Sequence, residues 1–294
     1  MKSVLFIFLD GFGLGKADHN NPLFTYGMPG FEKKIKCKLI DGTLVEENSI
    51  LVKGIDACLG VKGVPQSATG QTALFTGINA PALLGFHLPA FPDQQLIEVI
   101  HTHSILKQVT DSGLKATFAN AYSESYFEKA SQGKLTHSVT THCVYAADIP
   151  FRTIDDLLKN NAVYWDINRS HLLPSIETIR PEIAGQHLSK IAAQYDLTLF
   201  ESFTSDIIGH STSMGNAVDL LKLIDEFLCG ILNTISADTT FILSSDHGNI
   251  EDLSTGSHTE NSVPLIVLGP FARFFSKVSS IDQVTPAIIR YLLS

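Results

Sequence analysis

The stretch from Phe241 to His258 reads FILSSDHGNIEDLSTGSH and joins an apolar run to a cluster of polar side chains. Its first residues are apolar, which is typical of a strand buried within a sheet. After Leu243 the run changes to two serines followed by Asp246 and His247, so a rigid strand end would hold a carboxylate next to an imidazole. His258 precedes a second predicted strand, Val263 to Leu268. Carboxylates and imidazoles fixed in this way are typical of a metal site.

Length and charge limit the classes of protein to consider. The chain has 294 residues, of which 44% are hydrophobic, enough for one large α/β domain or two smaller ones. A net charge of −9 argues against nucleic acid or an acidic membrane surface as a partner, because both attract basic patches. A small phosphate ester remains compatible with this charge, since bound metal ions can supply positive charge locally.

The cysteines and the first apolar run indicate the cellular compartment of the protein. The four cysteines have no CxxC spacing and indicate reduced thiols in a cytoplasmic protein: Cys37, Cys58, Cys143 and Cys229. The apolar run from Val4 to Leu9 is too short for the core of a signal peptide or for a membrane span, so it predicts a strand.

Strands and helices alternate along most of the chain. Buried strands are predicted at Val4 to Leu9 and at Leu197 to Phe203, and a hairpin within Leu39 to Ile55. Helices include a continuous one from Gln94 to Ser112 and an amphipathic one from Asn216 to Ile235. This alternation predicts an α/β fold, a three-layer α/β/α sandwich with a mainly parallel central sheet.

Three further segments carry candidate site residues, and each allows two interpretations. Asp10 follows the first strand and either belongs to an Asp-Gly turn or is a ligand at the end of a parallel strand. Ser67 begins a predicted short helix and is either an N-cap or a nucleophile next to free helix amides. Asp206 and His210 would project to the same side of a helical turn, as an ion pair or as metal ligands.

Residues 122–178 lose the regular alternation, and we predict that they form an inserted lid over a core made of residues 1–121 and 179–294. Arg152 and Arg169 lie in this segment. Each is a candidate for binding substrate, because a guanidinium suits phosphate oxygens, or is an ordinary surface residue.

Four candidate clusters therefore lie just after buried strands or at the start of a helix. Together they supply seven groups: Asp10, Ser67, Asp206, His210, Asp246, His247 and His258. Carboxylates and imidazoles without a thiolate suit Mn²⁺, Zn²⁺ or Mg²⁺. Seven ligands are too many for one zinc ion, and they fit two divalent ions that leave room for substrate oxygens.

The order of these motifs resembles the alkaline phosphatase superfamily, and within it the metalloenzyme domain of cofactor-independent phosphoglycerate mutase and phosphopentomutase. The matching motifs are LDGFG at Leu9 to Gly13, SxxG at Ser67 to Gly70, SDxxGH at Ser205 to His210, SDHGN at Ser245 to Asn249 and SHTENSVPLIVLG from Ser257. They lie within roughly the first eighty residues and the part from about Pro181 onward. The family's large cap domain has no counterpart, and only residues 122–178 could replace it.

The resemblance implies a role for each candidate residue. One metal ion would be held by Asp10, Ser67, Asp246 and His247, and the other by Asp206, His210 and His258. Ser67 would be the nucleophile, in preference to Thr69, because Gly70 then occupies its place in the motif. Gln71 departs from the mutases, which commonly have histidine there.

Three functions follow as hypotheses. The first is a phosphatase or phosphodiesterase that acts on a small phosphorylated metabolite through a phosphoserine intermediate, because a small lid favours water as the final acceptor. The second is a phosphosugar or phosphoglycerate mutase, which would use the same ligands. The third is a catalytically silent metal-binding protein on the same fold.

Overall fold

A computed structural model of the protein describes residues 2–294. The strands are β1 (Ser3–Leu9), β2 (Leu44–Glu46), β3 (Ile50–Ile55), β4 (Ala116–Phe118), β5 (Ala121–Tyr122), β6 (Arg152–Thr153), β7 (Leu197–Ser202), β8 (Thr239–Ser244) and β9 (Val263–Leu268). The α-helices are α1 (Pro22–Thr25), α2 (Pro29–Ile35), α3 (Ser67–Thr76), α4 (Ala80–Leu84), α5 (Gln94–His103), α6 (Ile105–Asp111), α7 (Glu124–Ser131), α8 (Val139–Ala146), α9 (Ile154–Leu158), α10 (Pro181–Ala192), α11 (Thr204–Ser211), α12 (Met214–Thr234) and α13 (Val284–Leu293). Short 3₁₀ helices lie at Ser170–Leu172, Ala272–Phe275 and Ile281–Gln283.

Seven strands form the main sheet in the order β2-β3-β9-β8-β1-β7-β4. At its centre β1 is parallel to both β7 and β8, and β4 is parallel to β7. At one side β9 is antiparallel to β8 and β3, and β2 is antiparallel to β3, as the predicted hairpin requires. The sheet is thus parallel where the candidate site residues follow the strands and mixed at one edge.

Helices cover both faces of the sheet. Side chains alternate along β1, so Phe6 and Phe8 enter one hydrophobic core while Leu5 and Ile7 enter the other. The first core packs the sheet against α3, α5, α6, α8 and α13, and the second packs it against α2, α10 and α12. The predicted three-layer α/β/α architecture is confirmed.

The central strands bring the candidate segments together. Because β1, β7 and β8 are adjacent and parallel, their carboxyl ends lie at one edge of the sheet. Asp10 directly follows β1, Asp246 follows β8, and α11 with Asp206 follows β7. A ligand site at this edge is the usual arrangement in open α/β sheets.

The helix predicted from Gln94 to Ser112 is wrong as one element, because it is divided at Ser104 into α5 and α6. Ser104 has an extended backbone with ψ 144°, and its Oγ accepts a hydrogen bond of 3.4 Å from the backbone N–H of Lys107. A serine that caps a following helix interrupts the preceding one, since its own backbone leaves the helical conformation.

Residues 122–178 contain α7, α8, α9 and a small parallel pairing of β5 with β6. Helix α8 packs against α3, α5 and α6, and Val139, Cys143 and Val144 of this helix lie in the first core. The predicted boundaries of an inserted lid remain a prediction, and α8 at least is anchored to the main fold.

All four cysteines are free thiols, as their spacing predicts. No helix within residues 2–294 has both the length and the apolar character that crossing a bilayer requires.

Candidate metal centre

The first cluster joins the ends of β1 and β8. The ligand atoms of Asp10, Asp246 and His247 all lie within 4.8 Å of one another. His247 Nε2 is 3.3 Å from Asp10 Oδ1 and 3.5 Å from Asp246 Oδ2. Ser67 Oγ is 3.1 Å from the same imidazole nitrogen. The structure therefore brings together the four residues that the resemblance assigns to one ion.

The second cluster centres on Asp206. His258 Nε2 is 3.3 Å from Asp206 Oδ1, and His210 Nε2 is 3.5 Å from Asp206 Oδ2. His258 stacks on His247 with ring centroids 3.7 Å apart, so the two clusters adjoin. The ligand atoms of Asp206, His247 and His258 also lie within 4.8 Å of one another. His210 is the most exposed of these groups, with 46% of its side chain accessible.

The three histidines share one orientation. In each, Nδ1 lies within hydrogen-bond distance of a backbone carbonyl oxygen, at 3.3 Å for His247 with Gly248, 3.0 Å for His258 with Pro65 and 3.0 Å for His210 with Gly256. An N–H donated from Nδ1 to the carbonyl leaves the lone pair on Nε2, which lies next to the carboxylates. This outer hydrogen bond is how proteins orient histidines that bind metal ions.

The acids in this centre are electrostatically unbalanced. Burial and the charges of Asp246, Asp206 and Glu201 raise the pKa of Asp10 well above its usual value. Burial would also raise the pKa of Asp206, but the hydrogen bond with His258, the charge of His247 and the hydrogen bond from Asn249 lower it to about 2. Several acids forced together in this way are stabilised by cations.

The residues fit a divalent cation on two observations. Asp10 Oδ1 and Asp246 Oδ2 are buried oxygens without a hydrogen-bond partner in the described part of the chain. Such groups are costly unless something pairs with them. Both oxygens face Nε2 of His247, and oxygen and imidazole donors are the set that Zn²⁺ and Mn²⁺ accept.

Ser67 and Thr69 differ in what their hydroxyls can reach. Ser67 is the first residue of α3 and is half-buried beside the first cluster. A helix N-terminus presents free amides and a positive dipole to an anion. Thr69 is fully buried, and its Oγ1 donates to the carbonyl oxygen of Gln66 at 3.2 Å. Of these two hydroxyls, only that of Ser67 therefore lies within hydrogen-bond distance of the first cluster.

Two supporting residues carry no assignment from the motifs. Gln71 Nε2 donates to Asp10 Oδ2 at 3.0 Å, so it holds the carboxylate whose other oxygen is unpaired. Asn249 Nδ2 donates to Asp206 Oδ1 at 2.7 Å. The sequence indicates these two residues only by their position beside the motifs: Gln71 follows SxxG, and Asn249 is the last residue of SDHGN.

Glu201 was also missed by sequence reasoning. It lies in β7, is 7% exposed, and lines a cavity of about 410 Å³ that opens onto Asp10, Ser67 and Asp206. Burial raises the pKa of Glu201 to about 7, although a hydrogen bond from Thr140 opposes the shift. A charged residue in a strand that is otherwise buried was the available signal.

The two arginines predicted to bind substrate do not line this cavity. Arg152 donates to Thr117 Oγ1 at 3.1 and 3.2 Å and to the carbonyl oxygen of Asn161. Arg169 is buried, and its guanidinium donates to the carbonyl oxygen of Leu157 at 3.1 Å. Neither arginine therefore lies at the cavity, and a role for either in binding substrate remains a prediction.

Comparison with known proteins places this geometry in context. A family model described as the Metalloenzyme superfamily matches residues 1–294. Part of the chain is 32% identical over 136 residues to the 2,3-bisphosphoglycerate-independent phosphoglycerate mutase of Coxiella burnetii. The alignment covers 41% of this chain and 26% of that protein. The enzyme of the same name from Mycoplasmoides gallisepticum is 26% identical over 137 residues, 41% of this chain and 27% of that protein. The aligned part thus spans about a quarter of these relatives.

Solved structures share the fold at low sequence identity. Alkaline phosphatase from the Antarctic bacterium TAB5 superposes with a TM-score of 0.51 at 15% identity, over 99% of this chain and 98% of that chain. Phosphoglycerate mutase from Leishmania mexicana superposes with a TM-score of 0.51 at 12% identity, over 99% of this chain and 95% of that one. These likenesses confirm the fold predicted from the motifs.

Proposed function

Because the chain belongs to the metalloenzyme superfamily, we propose that it is a two-metal phosphoryl-transfer enzyme that hydrolyses a small phosphate ester through a phosphoserine at Ser67. The observation that carries the proposal is the position of Ser67 Oγ, 3.1 Å from Nε2 of His247, a residue of the first cluster. Its hydroxyl is half-buried at a helix N-terminus, where a phosphoryl group would meet free amides.

The proposed ligands divide as the resemblance implies. Asp10, Ser67, Asp246 and His247 would hold one ion, and Asp206, His210 and His258 would hold the other. Mn²⁺, Zn²⁺ and Mg²⁺ all accept such donors. When bound, the ions would supply positive charge that lowers the pKa of a hydroxyl or water and neutralises phosphate oxygens.

The chain's own residues define the covalent step. Ser67 Oγ attacks phosphorus and releases its proton to solvent. The bond from phosphorus to the ester oxygen breaks, and the alcohol leaves with a proton from solvent. The α3 amides stabilise the negative charge of the phosphoserine. Water then attacks the same phosphorus, and the bond to Ser67 Oγ breaks to release inorganic phosphate and regenerate the serine hydroxyl.

A mutase is the second candidate, favoured by the similarity of part of the chain to proteins named phosphoglycerate mutase. It would share every proposed ligand but would return the phosphoryl group to an organic acceptor. Reaction in ¹⁸O-labelled water separates the two, because hydrolysis places ¹⁸O in the released phosphate. Product isomers that form without label incorporation would establish the mutase instead.

The nucleophile is tested by two matched variants in α3. We expect Ser67→Ala to reduce the metal-dependent hydrolysis of an aryl phosphate by at least about a hundredfold, on the scale of lost catalytic groups. Thr69→Ala should retain most activity, since its hydroxyl is committed to Gln66. Phosphoserine trapped after acid quenching should appear with the native protein and be absent from Ser67→Ala. Full activity of Ser67→Ala would exclude the proposed nucleophile.

A further inference from the structure

The cavity beside Ser67 has a distinct aromatic part, which we name the aromatic chamber. Its walls include Tyr122, Tyr126, Tyr164, Trp165 and Phe203. The whole cavity measures about 410 Å³, a size that holds a small organic molecule. Since the chamber continues from the proposed phosphoryl site, a group held there would be the remainder of the substrate.

The chamber wall is ordered by ring packing and hydroxyl bonds. Trp165 stacks on Phe203 with centroids 4.2 Å apart and planes 18° from parallel. The hydroxyls of Tyr122 and Tyr126 lie 2.9 and 3.1 Å from Thr141 Oγ1. Because these hydroxyls already have partners, the tyrosines offer the cavity mainly ring surface.

The charge of the cavity is entirely acidic. Among residues 2–294, no lysine, arginine or histidine lines it, whereas Asp10, Asp206 and Glu201 do. Asp10 and Asp206 belong to the proposed metal centre, which leaves Glu201 as the charged group of the chamber. An anionic substituent entering this space would meet a buried carboxyl without any compensating cation.

Glu201 is held firmly in place. The side chain of Asn120 bonds its backbone on both sides, accepting from the Glu201 N–H at 2.9 Å and donating to its carbonyl oxygen at 2.7 Å. Oε2 accepts from Thr140 Oγ1 at 2.7 Å. Within the described residues, Oε1 receives no hydrogen bond, so the carboxyl retains an acceptor for a ligand.

We propose that the aromatic chamber binds the alcohol part of the substrate, and that this part is an aromatic group with a hydrogen-bond donor, a hydroxyl or an ammonium, and no anionic substituent. Ring surface would stack on Trp165 and its neighbours, and the donor would bond Glu201. The proposal rests on the proposed function for the phosphoryl step, but binding in the chamber can be measured without turnover.

Trp165 makes the measurement specific, because it is the only tryptophan of the chain. Its fluorescence is titrated with phenethylamine, 2-phenylethanol, phenylacetate and n-butylamine, which separate ring from charge. Titrations are run with Mg²⁺ and again with EDTA, at about pH 8, above the value of about 7 to which burial raises the pKa of Glu201. The two conditions distinguish binding in the chamber from binding at the metal centre.

We expect phenethylamine to bind at least about tenfold more tightly than either phenylacetate or n-butylamine, with 2-phenylethanol between. Glu201→Gln should reduce the preference for phenethylamine over phenylacetate to within about threefold. Glu226→Gln, at an exposed position of α12 that does not line the cavity, should leave that preference unchanged. Equal binding of phenylacetate and phenethylamine to the native protein would overturn the proposal, and so would an unchanged preference in Glu201→Gln.

Hydrolysis of phosphate esters provides a second test of the aromatic chamber. Benzyl phosphate, ethyl phosphate and phosphoglycolate all carry the phosphate on a CH₂ group. With Mn²⁺, we expect kcat/KM to fall at least about tenfold from benzyl phosphate to ethyl phosphate, and further for phosphoglycolate. Ligand discrimination without hydrolysis of any ester would contradict the proposed function and leave the chamber supported. Hydrolysis with no preference for benzyl phosphate would contradict the chamber alone.

Discussion

Glu201 couples its ionisation to folding in the metal-free protein. Burial, opposed by the Thr140 hydrogen bond and reinforced by the charge of Asp246, raises its pKa from 4.5 to about 7. An acid whose pKa is higher in the folded state than in the unfolded state binds its proton more tightly when folded. Its contribution to stability is therefore complete below about pH 4.5 and is lost as the pH rises through about 7.

Glu201→Gln removes this linkage, because glutamine does not ionise. Between about pH 5 and pH 8, in EDTA, we expect the native protein to lose about 2–3 kcal/mol more unfolding free energy than the variant, at about 1.4 kcal/mol per pKa unit. Urea denaturation at several pH values provides the measurement. Glu226→Gln, at an exposed position of α12, is the matched control. Parallel pH profiles for the native protein and Glu201→Gln would contradict the assignment.

Individual site residues were predictable where they directly follow a strand that the sequence pattern predicts. Asp10, Asp206 and Asp246 each come just after a buried strand, and parallel neighbours bring such positions to one edge. Glu201 lies inside a strand, and its access to the cavity depends on which residues of the distant segment 122–178 cover it. That contact is tertiary, so periodicity alone does not reveal it.

At the scale of elements, α10 and α12 meet backbone to backbone. A Cβ added to Gly230 would overlap the carbonyl oxygen of Glu182 and lie 2.8 Å from its Cα. A Cβ on Gly185 would likewise overlap the carbonyl oxygen of Phe227. Backbone atoms cannot rotate away as a side chain does, so the two glycines set how closely these helices approach.

Gly230→Ala should therefore destabilise the protein by about 1–3 kcal/mol through overpacking, despite the better helix propensity of alanine. Gly215→Ala in the same helix is the control, because nothing lies within 4 Å of its added Cβ. That variant should be more stable by roughly 0.5–1 kcal/mol. Denaturant midpoints compare the two. A stabilised Gly230→Ala would mean that the helices can separate at little cost.

Elements differ in how far the sequence determined them. Helix α12 follows from a sustained apolar period, and its predicted bounds agree with Met214–Thr234 to within two residues at each end. The division at Ser104 depends on one serine that takes an extended backbone and caps α6. The apolar pattern on either side continues through this position and does not predict the break. Residues 122–178 have short elements, and α8 is held by the main core rather than by its local pattern.

At the scale of the whole molecule, the candidate centre links distant parts of the chain. Its groups come from the residues that follow β1 and β8, from α3 and α11, and from the loop before β9. In the unfolded chain these groups are far apart, so metal ions would bind the folded state with strong preference. Such binding converts directly into stability, by about 2.7 kcal/mol for one ion at a hundred times its Kd.

We therefore expect saturating Mn²⁺ or Zn²⁺ to raise the thermal unfolding midpoint by several degrees over the value in EDTA, with two ions bound per chain by calorimetric titration. The effect of Asp10→Asn on stability should differ between EDTA and saturating metal. In EDTA it should be at least as stable as the native protein, because burial and the charges of Asp246 and Asp206 disfavour ionised Asp10. With metal it should gain much less, since one ligand is lost. Equal gains in the native protein and Asp10→Asn would place the bound ions outside the first cluster.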